Sequence, residues 1–143
     1  MNFAITVAAF VVALGVLIIV HEYGHYLIAR FCGVKVLRFS IGFGRPIWRM
    51  RGDQDQTEWV IAALPLGGYV KMLDEREGPV APEDAHRAFN RQSVWRRIAI
   101  VIAGPLANFL LAIVIYWGLF LGGVQEAKPV LAAPGAGTVA QAS

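Results

Sequence analysis

Two long apolar runs frame the chain. Phe3 to Val20 is eighteen residues without a charge and with one hydroxyl, Thr6. At 1.5 Å per residue it spans about 27 Å, close to the roughly 30 Å hydrocarbon core of a bilayer. Apolar residues continue beyond it through Tyr26-Leu27-Ile28-Ala29, so a first transmembrane helix is predicted over residues 3–29. A secretory signal peptide is the competing reading. It fails because there is no basic stretch at the start, no small-residue cleavage site, and no stop to the apolar run. The second run, Ile98 to Leu121, holds twenty-four residues without a formal charge and is interrupted by Gly104, Pro105 and Asn108. Pro105 frees a backbone carbonyl, so a kink or a re-satisfying neighbour is expected there.

Between the helices the period changes. Phe39-Ser40-Ile41-Gly42-Phe43-Gly44 and the stretch from Trp59 to Val70 are apolar and β-prone. Gly42, Gly44, Pro65, Gly67 and Gly68 punctuate them, which reads as short strands with turns, a hairpin over about residues 39–72. Residues 51–56 are its polar turn. Residues 74–93 are polar and read as a solvated segment with a short helix leading to Arg96. The chain therefore divides into residues 1–29, a loop over 30–97, a second helix over 98–121 and a tail over 122–143. The fold class expected is an α-helical integral membrane protein whose two transmembrane helices are joined by a cytoplasmic loop containing a membrane-associated β-hairpin.

Composition agrees with that class. The 143 residues are 57% hydrophobic and 16% charged, against roughly 25% charged in a soluble domain. The net charge of +3 could suggest nucleic acid, but twelve of the thirteen Lys and Arg lie between Arg30 and Arg97, flanked by the apolar runs. That is a topology signal, and no nucleic-acid partner is expected. The positive-inside rule puts residues 30–97 in the cytoplasm and both ends outside. Cys32 is the single cysteine, so no internal disulfide can form.

The candidate chemistry lies near the end of the first helix, in His21-Glu22-Tyr23-Gly24-His25. Residues four apart share a helix face at about 6 Å axial separation, which lets two imidazoles hold one zinc ion. Glu22 projects about 60° from His25. It is placed to take a proton from a water that the metal activates. Ionisable residues inside a membrane helix are costly and usually functional. The bland alternative is a helix end reaching for headgroups, and the apolar residues 27–29 beyond the motif argue against it. Gly24 serves helix packing or clearance for substrate or metal. Cys32 lies about 10 Å farther along the helix, too far to share a metal. His86 and Asp53, Asp55, Asp74, Glu75 and Glu77 read as ordinary surface charges. Gly104 to Asn108 is either a small-residue packing site or a polar group beside the active site.

Four collinear motifs carry a family resemblance: His21–His25, Phe39–Gly44, Leu64 to Met72, and Ala103-Gly104-Pro105-Leu106-Ala107-Asn108-Phe109. Together they resemble the site-2 proteases, intramembrane zinc metalloproteases of the M50 type, in their bacterial sigma-E-regulating branch. The resemblance implies a bacterial inner-membrane endopeptidase with Zn2+ as cofactor. His21 and His25 would be metal ligands and Glu22 the catalytic base. Its partners would be the lipid bilayer and transmembrane substrates, such as a membrane-bound anti-sigma factor or a remnant signal peptide. It also implies that the hairpin presents substrate as an extended strand, with Trp59, Val60, Ile61, Ala62, Gly67, Gly68 and Asn108 as substrate-binding candidates. Pro129 to Gly137 resembles the start of a periplasmic PDZ domain. The family's third ligand is an aspartate in an Asp-Gly motif on a later helix, and no such motif occurs in this sequence. The 143-residue chain alone is therefore expected to be inactive. A non-catalytic membrane adaptor, an inactive truncated fragment, and a membrane metal transporter are the rival readings.

Overall fold

The computed structural model describes residues 2–52 and 55–123. The PDZ-like stretch at 129–137 lies outside them. Helix α1 runs Phe3–Phe31, with the Asn2 side chain accepting from the Ala4 N–H at its start. Its end is a left-handed glycine cap. Gly33 has φ +81°, its N–H bonds the Arg30 carbonyl at 3.0 Å, and the Val34 N–H bonds the Ala29 carbonyl at 2.9 Å. Ala29 and Val34 are both fully buried, the apolar contact that accompanies this cap.

Helix α2 runs Val94–Leu121 and is capped by Ser93, whose hydroxyl accepts from the Arg96 N–H. It begins four residues before the apolar run, so Arg96 and Arg97 lie in its first turn instead of preceding it. Both helices are long and apolar enough to cross a membrane. They meet where side chains are smallest. A Cβ on Gly24 would lie 2.5 Å from the Ala103 carbonyl oxygen and 2.8 Å from Ala107 Cβ, so backbone packs on side chain with nothing between.

Strands β1 (Val36–Gly52) and β2 (Thr57–Met72) form an antiparallel pair. Both are longer than the apolar motifs within them, and each folds back at its glycines, so each contributes two segments. Gly52↔Thr57 through Trp48↔Ile61 is the hairpin around the turn. Val36↔Met72 through Ile41↔Gly68 is a second antiparallel ladder. Arg38–Ile41 also faces Glu58–Ile61, the numbers rising together on both sides. The spatial order is therefore 46–52, 57–62, 36–43, 64–72. Asp55 fixes the turn by pairing with Arg30 at the end of α1 and with both terminal nitrogens of Arg87 at 2.7 Å.

Between β2 and α2 the chain forms two single 3-10 turns, Ala85–Arg87 and Phe89–Arg91, in place of one short helix. The buried core of Ala29, Val34, Val36 and Ile100 gathers Tyr26, Val70, Met72 and Phe89 around it. It therefore joins α1, the sheet and α2 one to two turns from His25.

Candidate metal centre

His21, Glu22 and His25 share the last third of α1. The i,i+4 spacing brings His21 Nε2 and His25 Nε2 to 3.2 Å, with the rings edge to face at 81°. Helix α2 fixes one of the rings. His25 Nδ1 lies 2.7 Å from the Ile100 carbonyl oxygen, which can only accept. His25 therefore carries its proton on Nδ1 and keeps a lone pair on Nε2. A backbone carbonyl behind a histidine is a common outer support for a metal ligand.

Gly104 provides the clearance. A Cβ there would collide with His25 Nε2 and lie 2.8 Å from His21 Nε2. Two nitrogens held tetrahedrally at about 2.0–2.1 Å from zinc sit about 3.3 Å apart, and the separation observed is 3.2 Å. The donor set, its spacing and the open space over it fit that metal. Among the described residues, no group of three or more His, Cys, Asp and Glu stands ready to hold a metal ion.

Glu22 lies against the sheet. A Cβ on Gly68 would be 2.9 Å from Glu22 Cγ and 2.7 Å from the Ser40 carbonyl, so only glycine lets β2 pass this close to the carboxylate. Two cavities reach Glu22. One, of about 480 Å³, also touches His25 and is rimmed by Lys71, Asp74, Arg76 and Glu77. The other, of about 420 Å³, touches His21, Gly67, Gly68 and Asn108 and is walled by Leu14, Leu17 and Leu66. At the polar rim the Arg76 guanidinium hydrogen-bonded to Asp74 holds that carboxyl below the usual carboxylate range.

The substrate-binding candidates separate. Gly67, Gly68 and Asn108 come together with the histidines and Glu22. Trp59 to Ala62 do not. Trp59 packs its ring on Tyr26 and Phe39, Val60 and Ala62 are buried, and the segment has a strand on each side. Trp59, Val60 and Ile61 are flanked on both sides and offer no free edge to an added strand, and Ala62 is paired with Pro46 alone among the described residues. The ladder leaves Gly68–Lys71 with partners on one side only among the described residues, and this is the segment beside Glu22. Two contributors escaped residue-type reasoning. The Ile100 carbonyl is a backbone group that no side-chain pattern marks. Gly104 was visible as an interruption in the helix, but its closeness to both imidazoles was not.

Known proteins share much of this sequence. Over 126 residues the chain is 61% identical to "Protease RseP" of Yersinia pestis, covering 88% of this chain and 28% of that protein. Over 140 residues it is 56% identical to "Regulator of sigma-E protease RseP" of Escherichia coli K12, covering 98% of this chain and 31% of that protein. A protein of the same name in Salmonella typhimurium is 60% identical over 124 residues. The chain thus spans less than a third of the length of these relatives. Residues 9–141 match Peptidase family M50, and the chain belongs to that family.

Proposed function

We propose that the chain forms the metal-binding end of a zinc-dependent endopeptidase that cuts transmembrane segments of other proteins within the bacterial inner membrane. The observation that carries this reading is the 3.2 Å approach of the two Nε2 atoms, with one ring locked by a helix carbonyl and a glycine clearing the space between them. His21 and His25 hold the metal. By the family resemblance, an aspartate on a further helix completes the set. Zinc, when bound, supplies the Lewis acidity that makes water a competent nucleophile near neutral pH.

The chain's own residues do the rest. Glu22 takes a proton at its carboxylate from the attacking water and returns it to the leaving amine. It is within one turn of both ligands and open to both cavities. The polar-rimmed cavity leads water to it, and the apolar one receives the substrate. A substrate in a bilayer must leave its helix to be cut and then needs its backbone hydrogen bonds supplied. The Gly67–Lys71 edge supplies them by strand addition, bringing the extended substrate alongside Glu22. Residues 30–97 face the cytoplasm and both ends the periplasm.

In the full-length protein, Glu22→Gln is expected to retain zinc and lose cleavage by about 10²-fold or more. Metal analysis alongside cleavage of a membrane-embedded reporter checks both. Near-normal cleavage by Glu22→Gln, or unchanged zinc content in His21→Ala, overturns the assignment.

A further inference from the structure

His21 has a neighbour at each ring nitrogen. Its Nε2 lies 3.2 Å from His25 Nε2, and its Nδ1 lies 3.5 Å from Asn108 Nδ2 on α2. The proton on His25 Nδ1 belongs to the Ile100 carbonyl at 2.7 Å, so His25 Nε2 accepts. The chain of bonds then closes in one way. The Asn108 NH2 donates to His21 Nδ1, His21 Nε2–H donates to His25 Nε2, and His25 Nδ1–H donates to Ile100. In that arrangement Asn108 Oδ1 is left buried without a partner. A buried carbonyl in that position is costly.

A metal held between the two rings sets the proton of His21 differently. Both Nε2 atoms must then present lone pairs, so the proton of His21 must sit on Nδ1. Nδ1–H would face the Asn108 NH2, a donor against a donor. A half-turn of the carboxamide removes both faults, because Oδ1 leaves its unpartnered place and accepts from Nδ1–H. A carboxamide can serve either way because it carries a donor and an acceptor on one carbon. An aspartate could only accept, and it would add a charge inside a membrane helix. Asn108 is also four residues from Gly104, on the same helix face. One face of α2 thus both clears the imidazoles and supports them.

We propose that Asn108 is the positioning residue of His21. Its carboxamide oxygen accepts from Nδ1–H when His21 is a ligand, which leaves the Nε2 lone pair for the metal. This rests on the reading of His21 and His25 as metal ligands.

The test uses the full-length protein in detergent, with histidine ring nitrogens followed by NMR before and after Zn2+ is added. His21 is expected to carry its proton on Nδ1 when zinc is bound. Competition with a chromophoric chelator measures affinity. Asn108→Leu is expected to weaken zinc binding by about 10- to 100-fold. Asn108→Asp, an acceptor of the same shape, should stay within about threefold of the parent. A proton on Nε2 of zinc-bound His21 overturns the acceptor role of the carboxamide. Equal affinity in Asn108→Leu, or equal loss in both variants, overturns the positioning role. If the parent binds zinc no better than His21→Ala, the metal-centre reading falls first and this inference with it.

Discussion

Thr57–Ala62 and Leu64–Met72 are consecutive, similar in composition, and opposite in place. The first is held between two strands, with Thr57 buried and bonded through its hydroxyl to the Val36 carbonyl at 2.9 Å. The second has a ladder on one side and the carboxylate-bearing face of α1 against Gly68. The difference teaches that β-propensity alone does not say which strand is a brace and which is an edge. Where the chain turns back decides it. Only a strand with one side open can take on another strand.

Proline separates the two most sharply. Glu58–Ile61 has a strand on each side, so Ile61→Pro is expected to cost about 3 kcal/mol or more in stability. Tyr69→Pro and Val70→Pro should behave unlike each other, because alternate residues of an edge point their N–H inward and outward. The inward change destabilises the sheet; the outward one leaves the fold and lowers cleavage. Thermal unfolding in detergent beside a cleavage assay reads both. If Ile61→Pro melts like the parent while cleavage alone falls, the substrate edge is Trp59–Ala62 after all.

A smaller effect is expected at the turn that holds the inner hairpin in place. Asp55 is nearly buried, with Arg30 and Arg87 each about a quarter exposed. Removing a buried partner strands its opposite charges, but water reaches these two guanidinium groups. Asp55→Ala should therefore cost about 3 kcal/mol, the lower end of the range for a broken buried pair. The loss would appear as a lower melting temperature with zinc content unchanged. A neutral result would mean that the sheet keeps its own turn without that clamp.

The smallest effect is with pH. Asp74 is held below its ordinary value of 3.8 mainly by its hydrogen bond from Arg76. Glu75 is held below its ordinary value of 4.5 mainly by its hydrogen bond from Arg91. Lowered folded values mean that the stabilisation is complete above the ordinary values and is lost as pH falls through the folded ones. A shallow decline in melting temperature is therefore expected below about pH 4.5 and should be absent in Arg91→Ala plus Arg76→Ala. A decline that persists in that double variant belongs to other carboxylates.

Much of the frame was legible because single residues report on it. Charge-free runs mark the two helices, and a four-residue spacing puts His21 and His25 on one face. The start of α2 was misplaced because Arg96 and Arg97 read as anchors outside the helix. Long arginine stems let them sit within the first turn, while the Ser93 cap fixes the true start. The strands extend past their apolar cores because Arg45 to Met50, exposed throughout, still completes a ladder. The second pairing of Arg38–Ile41 was not legible at all. It joins segments twenty residues apart in parallel fashion, and no local period encodes that.

The contact at Gly24 has a mechanical consequence. Held on Ala103 and Ala107, it is a fulcrum for the helix pair, and His21, His25, Gly104 and Asn108 all lie within about one helical turn of it. The 29 residues of α1 measure about 43 Å, longer than the roughly 30 Å thickness of a hydrocarbon core. Such a helix matches bilayers of different thickness by leaning. Leaning about a fulcrum sweeps the far ends most and the hub least. On the proposed membrane reading, thin and thick bilayers would present the same nitrogen pair at the same width.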